Sequence, residues 1–317
     1  MKVVLVGEES AGLGALRLLL DRGVPPVAVL TTPPAAERRG FSLWSEAHRL
    51  GVPALPAHAV REPVPDHLRQ AGIDLLLNVH SLHVIRAPWL TLPRLGAFNL
   101  HPGLLPEYAG LDSASWALYE GAGTHGVTLH HMEPGIDTGP IAWQRRFPIG
   151  AADTALRLNQ RSIREGLGLL SLLLEAAGRG GTAIPRVPQD LSRRRYLGRT
   201  PPEGGWLPIE GPVARCIGLV RACDFRPFPS PWGTPGLLRG DRRVEIVQAS
   251  PGTHPAGCAA GTLGPRHDDG IDLACGDGFL RVHLVRWNGT VMAAQEVLRE
   301  GELLRRGPGD DAGGTKR

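Results

Sequence analysis

The stretch Lys2–Gly23 reads KVVLVGEESAGLGALRLLLDRG. It opens on a β-branched apolar run, breaks at Gly7, and resumes as an apolar-periodic segment carrying Leu13, Leu16, Leu19 and Leu20. That order predicts strand, turn and helix, with Gly23 suited to the left-handed helix stop. The pattern then repeats. VAVLTT (27–32) predicts a second strand, 42–50 a second helix, IDLLLNV (73–79) a third strand and GAFNLH (96–101) a fourth. Strands alternating with helices predict an α/β architecture: a Rossmann-like, doubly wound and mostly parallel sheet.

Farther along, DSASWALYEG (112–121) reads as a helix, and GVTLHHM (126–132) and PIAWQRRFPI (140–149) as strands. Asp153 caps a long helix reaching about Ala177. The run 182–205 is basic, rich in proline and without periodicity, which marks a linker, placed at 191–206. Pro212 opens one more helix, and glycine-punctuated short strands follow it. A smaller β-rich, open-barrel (OB-like) C-terminal domain at 207–306 fits that pattern, with a disordered tail at 307–317 and the larger domain at 1–190.

The chain has 317 residues, 42% of them hydrophobic and 21% charged, and a formal charge of +4. These values fit a two-domain globular protein and allow a phosphate-bearing ligand without demanding nucleic acid. The longest basic cluster, Arg193-Arg194-Arg195, has no interleaved aromatics and reads as a solvated segment, or else as a contact with an anionic partner. The four cysteines (Cys216, Cys223, Cys258, Cys275) show no C-x-x-C spacing, which predicts reduced thiols in a reducing compartment. Glu8 and Glu9 interrupt the only stretch that imitates a signal peptide, and no run of 18 apolar residues exists, so a cytoplasmic location is expected.

Chemistry concentrates at FNLHPGLLPEYAG (98–110). In an open α/β sheet, ligands bind beyond the carboxyl ends of the strands, where Asn99 and His101 fall. Side chains two apart on a strand point the same way, so the amide and the imidazole converge on one volume, placed to donate two hydrogen bonds to one oxygen. In HHMEPGIDTGPI (130–141) a tight turn presents Asp137. A carboxylate brought beside His101 would orient the ring and favour its charged form. Asn, His and Asp together suit acyl transfer, in which an oxyanion develops while a proton leaves the nucleophile. From spacing alone, Asn-x-His also suits the capping of a turn, and Asp-Thr-Gly is common in loops.

Asn99-x-His101, then Leu104-Leu105-Pro106, then Asp137-x-Gly139 about 36 residues on, resemble the 10-formyltetrahydrofolate-dependent formyltransferases. YLGRTPPEGGW, RACDFRPFPSPW and ACGDGFLRVHLV resemble that family's linker, second-domain entry and small open barrel. The resemblance implies direct, metal-free formyl transfer from 10-formyltetrahydrofolate to a primary amine. In that scheme Asn99 and protonated His101 stabilise the oxyanion, and Asp137 supports His101 and helps take the proton through a water. It also implies that the folate is held largely by backbone, at His83-Val84-Ile85 and at Glu133, Pro134, Gly135, Ile136 and Asp137. Two positions depart from the family pattern: Gly103 replaces the usual Ser, and Leu111 stands where several relatives carry an Arg. Gly103 and Tyr108 are candidates on the substrate side, and Tyr108 serves equally well as a loop anchor.

Other signals are weaker. Gly7-x-x-x-x-Gly12-x-Gly14 lacks dinucleotide spacing and reads as a strand-to-helix turn. His80, His83, His125, His130 and His131 invite zinc, but His130 and His131 are adjacent on a strand and face opposite ways, with no Cys nearby, so no metal is expected. Trp116 and Tyr119 at helical spacing read as core. For the acceptor, the loop TTPPAAERRGFSL lacks a long Lys/Arg-rich insertion for gripping tRNA. The expected substrate is therefore the amine of a small metabolite: an amino sugar nucleotide, an amino acid or a carrier-tethered aminoacyl group. Methionyl-tRNA formyltransferase is the alternative, and a non-catalytic folate-binding or interaction protein the second one.

Overall fold

The computed structural model describes residues 1–34, 42–252 and 257–308. Part of the loop at 31–43 (residues 35–41) and the tail from 309 onward, both subjects of expectations above, lie outside the described residues. The chain divides into two compact units, the first comprising Met1–Gly110, His125–Pro148 and Asn159–Tyr196, the second Leu111–Thr124, Ile149–Leu158 and Leu197–Arg317.

The first unit is built on the predicted sheet. Strands β1 (Val3–Gly7), β2 (Ala28–Thr31), β3 (Ala54–Pro56), β4 (Leu75–Val79) and β5 (Gly96–His101) are joined by parallel pairing. A two-residue strand, β6 (Ala109–Gly110), stands apart from this sheet, and β7 (Thr124–His131) and β8 (Ile141–Pro148) complete it in the order β3-β2-β1-β4-β5-β7-β8. β7 runs antiparallel to β5, so the sheet is mostly but not wholly parallel.

Successive residues of β1 feed opposite layers. Val3 and Leu5 join one apolar cluster with Leu75, Leu77, Phe98 and Leu100, while Val4 and Val6 join the other with Leu30, Leu76 and Ala97. Burial on both faces is why the strand sequences are continuously apolar rather than alternating. Gly7 and Gly12 allow helix α1 (Glu9–Asp21) to close on β1: a Cβ on Gly12 would lie 3.0 Å from the carbonyl carbon of Gly7. The glycine pattern thus serves helix-to-strand packing, as the turn reading expects. The chain winds outward from β1 to β3, then returns to β4 and β5 on the other side, which creates a switch point between β1 and β4. Crevices open at such points, beyond the carboxyl ends of the strands.

The second unit carries an antiparallel sheet in the order Leu263–His267, Gly270–Ala274, Phe279–Trp287, Arg242–Pro251, Gly236–Arg239, Leu304–Arg305, with Thr290–Ala293 also pairing with Phe279–Trp287. Register shifts between Ile246 and Ala249 bend its longest strand, as strands of small open barrels require. This is the OB-like part of the predicted fold. Cys216, Cys223 and Cys275 are buried free thiols, and Cys258 is an exposed one. Tyr119 is buried there, with its ring 6.0 Å from that of Trp116.

Candidate active site

β5 places Asn99 and His101 on one side of the strand, as the two-residue period requires. The loop after β7 stays exposed through Glu133, Pro134, Gly135 and Ile136, then turns inward so that Asp137 is only 7% exposed. Gly135 takes a φ of +121°, open to glycine alone, and Asp137 itself sits at +57°. The two segments meet at the Asp137 carboxylate. Oδ1 accepts from Asn99 Nδ2 (3.2 Å), Oδ2 accepts from the Gly110 backbone N–H (2.9 Å), and Oδ2 lies 3.6 Å from His101 Nδ1. The three residues singled out from sequence are therefore brought together.

Two partners escaped the sequence reading. Asn78, at the end of β4, is paired in register with Asn99, and its Nδ2 donates to Asn99 Oδ1 (2.9 Å). That bond fixes the carboxamide so that its nitrogen, not its oxygen, faces Asp137. His130, in register with Asn99 from β7, donates from Nδ1 to the His131 carbonyl (2.8 Å) and accepts at Nε2 from Asn99 Nδ2 (3.1 Å). The same Nε2 is 3.5 Å from Asp137 Oδ1. The signal for Asn78 was a single polar residue ending an apolar strand. For His130 it was a place on the strand that leads into the Asp137 loop.

Asp137 is strongly shifted. Burial pushes its carboxyl up, but its neighbours, first His101 and then His130 and the Gly110 N–H, together outweigh burial and hold it well below the usual carboxylate range. It stays ionised at neutral pH and is a weak proton acceptor. His101 Nε2 donates to the Tyr108 carbonyl (2.6 Å), which leaves Nδ1 as the ring atom that faces Asp137. That contact uses the Tyr108 backbone. Nearby imidazoles are kept neutral: burial pushes both His80 and His125 down to about 4, with the His101 charge adding to it. His125 lies edge-on to Tyr108 and Phe147 (6.4 and 5.7 Å between centroids).

The Leu104-Leu105 turn is held by Thr128, whose hydroxyl donates to the Gly103 carbonyl (2.7 Å) and accepts from the Leu105 N–H (3.2 Å). Gly103 thus meets the protein through its backbone. His83, Val84 and Ile85 form no hydrogen bond to the Asp137 cluster among the described residues. Ile85 is buried, Val84 is 61% exposed, and His83 Nδ1 is buried without a partner. Glu133 is tied to Arg186 (3.0 Å), whose other nitrogen donates to His131 Nδ1 (2.8 Å). The arginine run is engaged rather than merely solvated: Arg193 pairs with Glu107, Arg194 donates to the Ile136 carbonyl, and Arg195 lies over the Tyr108 ring. Among the described residues, no group of three or more His, Cys, Asp or Glu is arranged to hold a metal ion, and no helix is long and apolar enough to cross a membrane.

An ionised carboxylate, a proton-bearing imidazole and an oriented carboxamide form a set able to support charge on a carbonyl oxygen and to steady a proton in transit. Comparison with known proteins identifies the family. Residues 3–172 match the formyl transferase family model and residues 210–301 the model of the formyl transferase C-terminal domain. The methionyl-tRNA formyltransferase of Methylobacterium sp. (strain 4-46) is 31% identical over 94% of this chain and 96% of its own. Among solved structures, the N-formyltransferase of Helicobacter canadensis in complex with folinic acid and dTDP-3-aminofucose superposes with a TM-score of 0.67 at 16% identity, covering 90% of this chain and 100% of that one. The sugar 3N-formyl transferase WlaRD, with dTDP and 5-N-formyl-THF, gives 0.65 at 17%, covering 89% and 96%. At such identities the superpositions speak for the fold, and the sequence matches speak for the family. The chain belongs to the formyl transferase family and is a folate-dependent formyltransferase.

Proposed function

We propose that the protein transfers the formyl group of 10-formyltetrahydrofolate to a primary amine of a small metabolite, such as an amino sugar nucleotide, an amino acid or a carrier-tethered aminoacyl group. The observation that carries this is the convergence of Asn99, His101 and Asp137 on one point, with Asp137 ionised. The same reading assigns residues 1–190 to catalysis, 191–206 to a linker and 207–306 to the C-terminal domain.

The residues present fit a folate. His83 Nδ1 and His80 Nε2 are buried polar atoms without partners, and Val84 and Ile136 leave 61% and 45% of their surface open to a flat ring. In this proposal Val84 and Ile136 give apolar faces, while His83, Ile85 and the backbone of Glu133, Pro134, Gly135, Ile136 and Asp137 hold the polar edge. When bound, 10-formyltetrahydrofolate supplies the formyl group.

Asn99 Nδ2 and His101 supply donors to the acyl oxygen as the amine adds. To do so they exchange protein acceptors, Asp137 and the Tyr108 carbonyl, for the substrate, a rearrangement common when an active site engages its ligand. Asp137 keeps its charge throughout and stabilises positive charge on His101 at Nδ1. As the formyl C–N bond breaks, the proton released by the amine passes through water to the departing folate nitrogen, because a charged His101 has no lone pair to take it and the depressed Asp137 carboxyl is too weak a base to retain it.

A second reading, methionyl-tRNA as the acceptor, draws on the 31%-identical relative of that name. The stretch from Thr31 to Leu43 speaks against it, because it contains only two basic residues, Arg38 and Arg39. Screening amines for folate release, alongside charged initiator tRNA, tests both. The small-amine reading expects efficient turnover of at least one small amine and slow or absent formylation of the tRNA. Efficient tRNA formylation that falls steeply with salt, the mark of phosphate contacts, overturns it. Absence of turnover with every amine returns the protein to a folate-binding role.

A further inference from the structure

Three carbonyls of the Asp137 loop are capped from one distant segment. Gln189 Nε2 donates to the Asp137 carbonyl (3.0 Å) and to the Gly139 carbonyl (2.6 Å), and Arg194 Nη2 donates to the Ile136 carbonyl (2.9 Å). The loop needs such support. Asp137 occupies the left-handed region at φ +57°, which residues with a Cβ seldom adopt. Gly139 is pressed so closely on β7 that a Cβ there would lie 1.9 Å from the His131 carbonyl oxygen.

Gln189 is placed to hold both ends of this bend. One amide nitrogen commits both its hydrogens to carbonyls on either side of Thr138. Rotating the carboxamide would set its oxygen against those same two carbonyls, so only one orientation is stable. That orientation leaves Oε1 buried with no partner, an unfavourable state that the two donated bonds offset.

We propose that Gln189 is a positioning residue for formyl transfer: it fixes the backbone of Asp137 and thereby sets the carboxylate against His101 and Asn99. The inference rests on the formyl-transfer reading for its kinetic consequence, while its structural part stands independently. Displacing the carboxylate by a fraction of an ångström weakens every contact it makes, and small misplacements of this kind cost up to about a hundredfold in rate.

The test uses the full chain with Gln189→Ala and Gln189→Glu, each alone, and with Gln189→Ala combined with Asp137→Asn. Gln189→Ala is expected to lower kcat roughly tenfold to a hundredfold. In the Asp137→Asn background the same change is expected to cost less than about twofold, since it acts through the carboxylate already removed. Gln189→Glu should match Gln189→Ala at neutral pH, where a carboxylate has no hydrogen to donate. Relative to wild type it should recover as acid protonates it. Fully multiplicative losses in the double variant overturn the proposal.

A second readout needs no turnover. The Gly110 N–H is held by Asp137 Oδ2, so its amide hydrogen exchange reports the position of the carboxylate. Gln189→Ala should speed that exchange about tenfold or more while the amides of β1 and β4 keep their protection. Unchanged Gly110 exchange overturns the positioning role even if no amine is ever formylated. Lack of turnover by the wild type would count against the catalytic reading alone.

Discussion

Acidification offers a quantitative test of the environment built around His101. The His125 ring is fully buried, and burial together with the nearby His101 charge pushes it down to about 4, against an ordinary 6.5. Native protein therefore keeps His125 neutral while unfolded chain takes up a proton below pH 6.5. Stability from this residue is complete above that pH and is lost as pH falls toward the folded value. The slope is about 1.4 kcal/mol per pH unit, and integration between about pH 7.5 and about pH 5 gives a loss of roughly 2 kcal/mol. Asp137, with its depressed carboxyl, also loses its contribution as pH falls, but only below the ordinary carboxylate value, so it does not enter this window. Urea unfolding at several pH values, with wild type and His125→Phe compared, isolates the contribution. The substitution keeps an aromatic ring against Tyr108 and Phe147 and removes the titration. Wild type should lose about 2 kcal/mol more than His125→Phe across the window, whatever their difference at neutral pH. His80 is pushed down to a similar value and acts in both proteins alike, so it cancels. Equal losses in the two proteins would show that His125 is not held neutral, and the account of its burial would fail.

Further expectations concern the reaction and the loop. His101→Ala and Asp137→Ala should each lower kcat about a hundredfold or more with folding intact, and a folded His101→Ala variant with near-normal turnover would refute its role. Gly139→Ala places a Cβ 1.9 Å from the His131 carbonyl oxygen and should displace the Asp137 loop, lowering both turnover and the unfolding midpoint; a silent substitution would contradict the packing described. Dialysis against a chelator should leave activity unchanged, and loss of activity restored by zinc would overturn the metal-free chemistry.

Much of the first unit was legible because its signals are local. Val3–Gly7 is continuously apolar, the mark of a strand covered on both faces, and Gly7 ends it where the turn must come. The pairing of Asn99 with His101 followed from the two-residue strand period alone. Asp137 was singled out by the tight turn that presents it, and the family resemblance tied it to that pair, since no local period does. Untouched by any of this were Asn78, His130 and Gln189.

These three depend on where distant strands and segments come to rest. Asn78 and His130 reach Asn99 only because β4 and β7 flank β5 in one particular register, and a shift by one residue would turn either side chain to the opposite face. His130 and His131 are indistinguishable in the sequence beyond facing opposite ways. Sheet packing decides that His130 meets Asn99 and Asp137 while His131 meets the Pro185 carbonyl and Arg186. Gln189 follows Asp137 by 52 residues, and its role is set by hydrogen bonds to backbone carbonyls, which every residue possesses and no sequence singles out. The sequence by itself determined the longer apolar strands and the chemical groups available, but not the three-residue β3, too short to carry a period. Tertiary structure alone decided which of those groups stand within about 3 Å of one another, because hydrogen bonding is that short-ranged while chain connectivity is not.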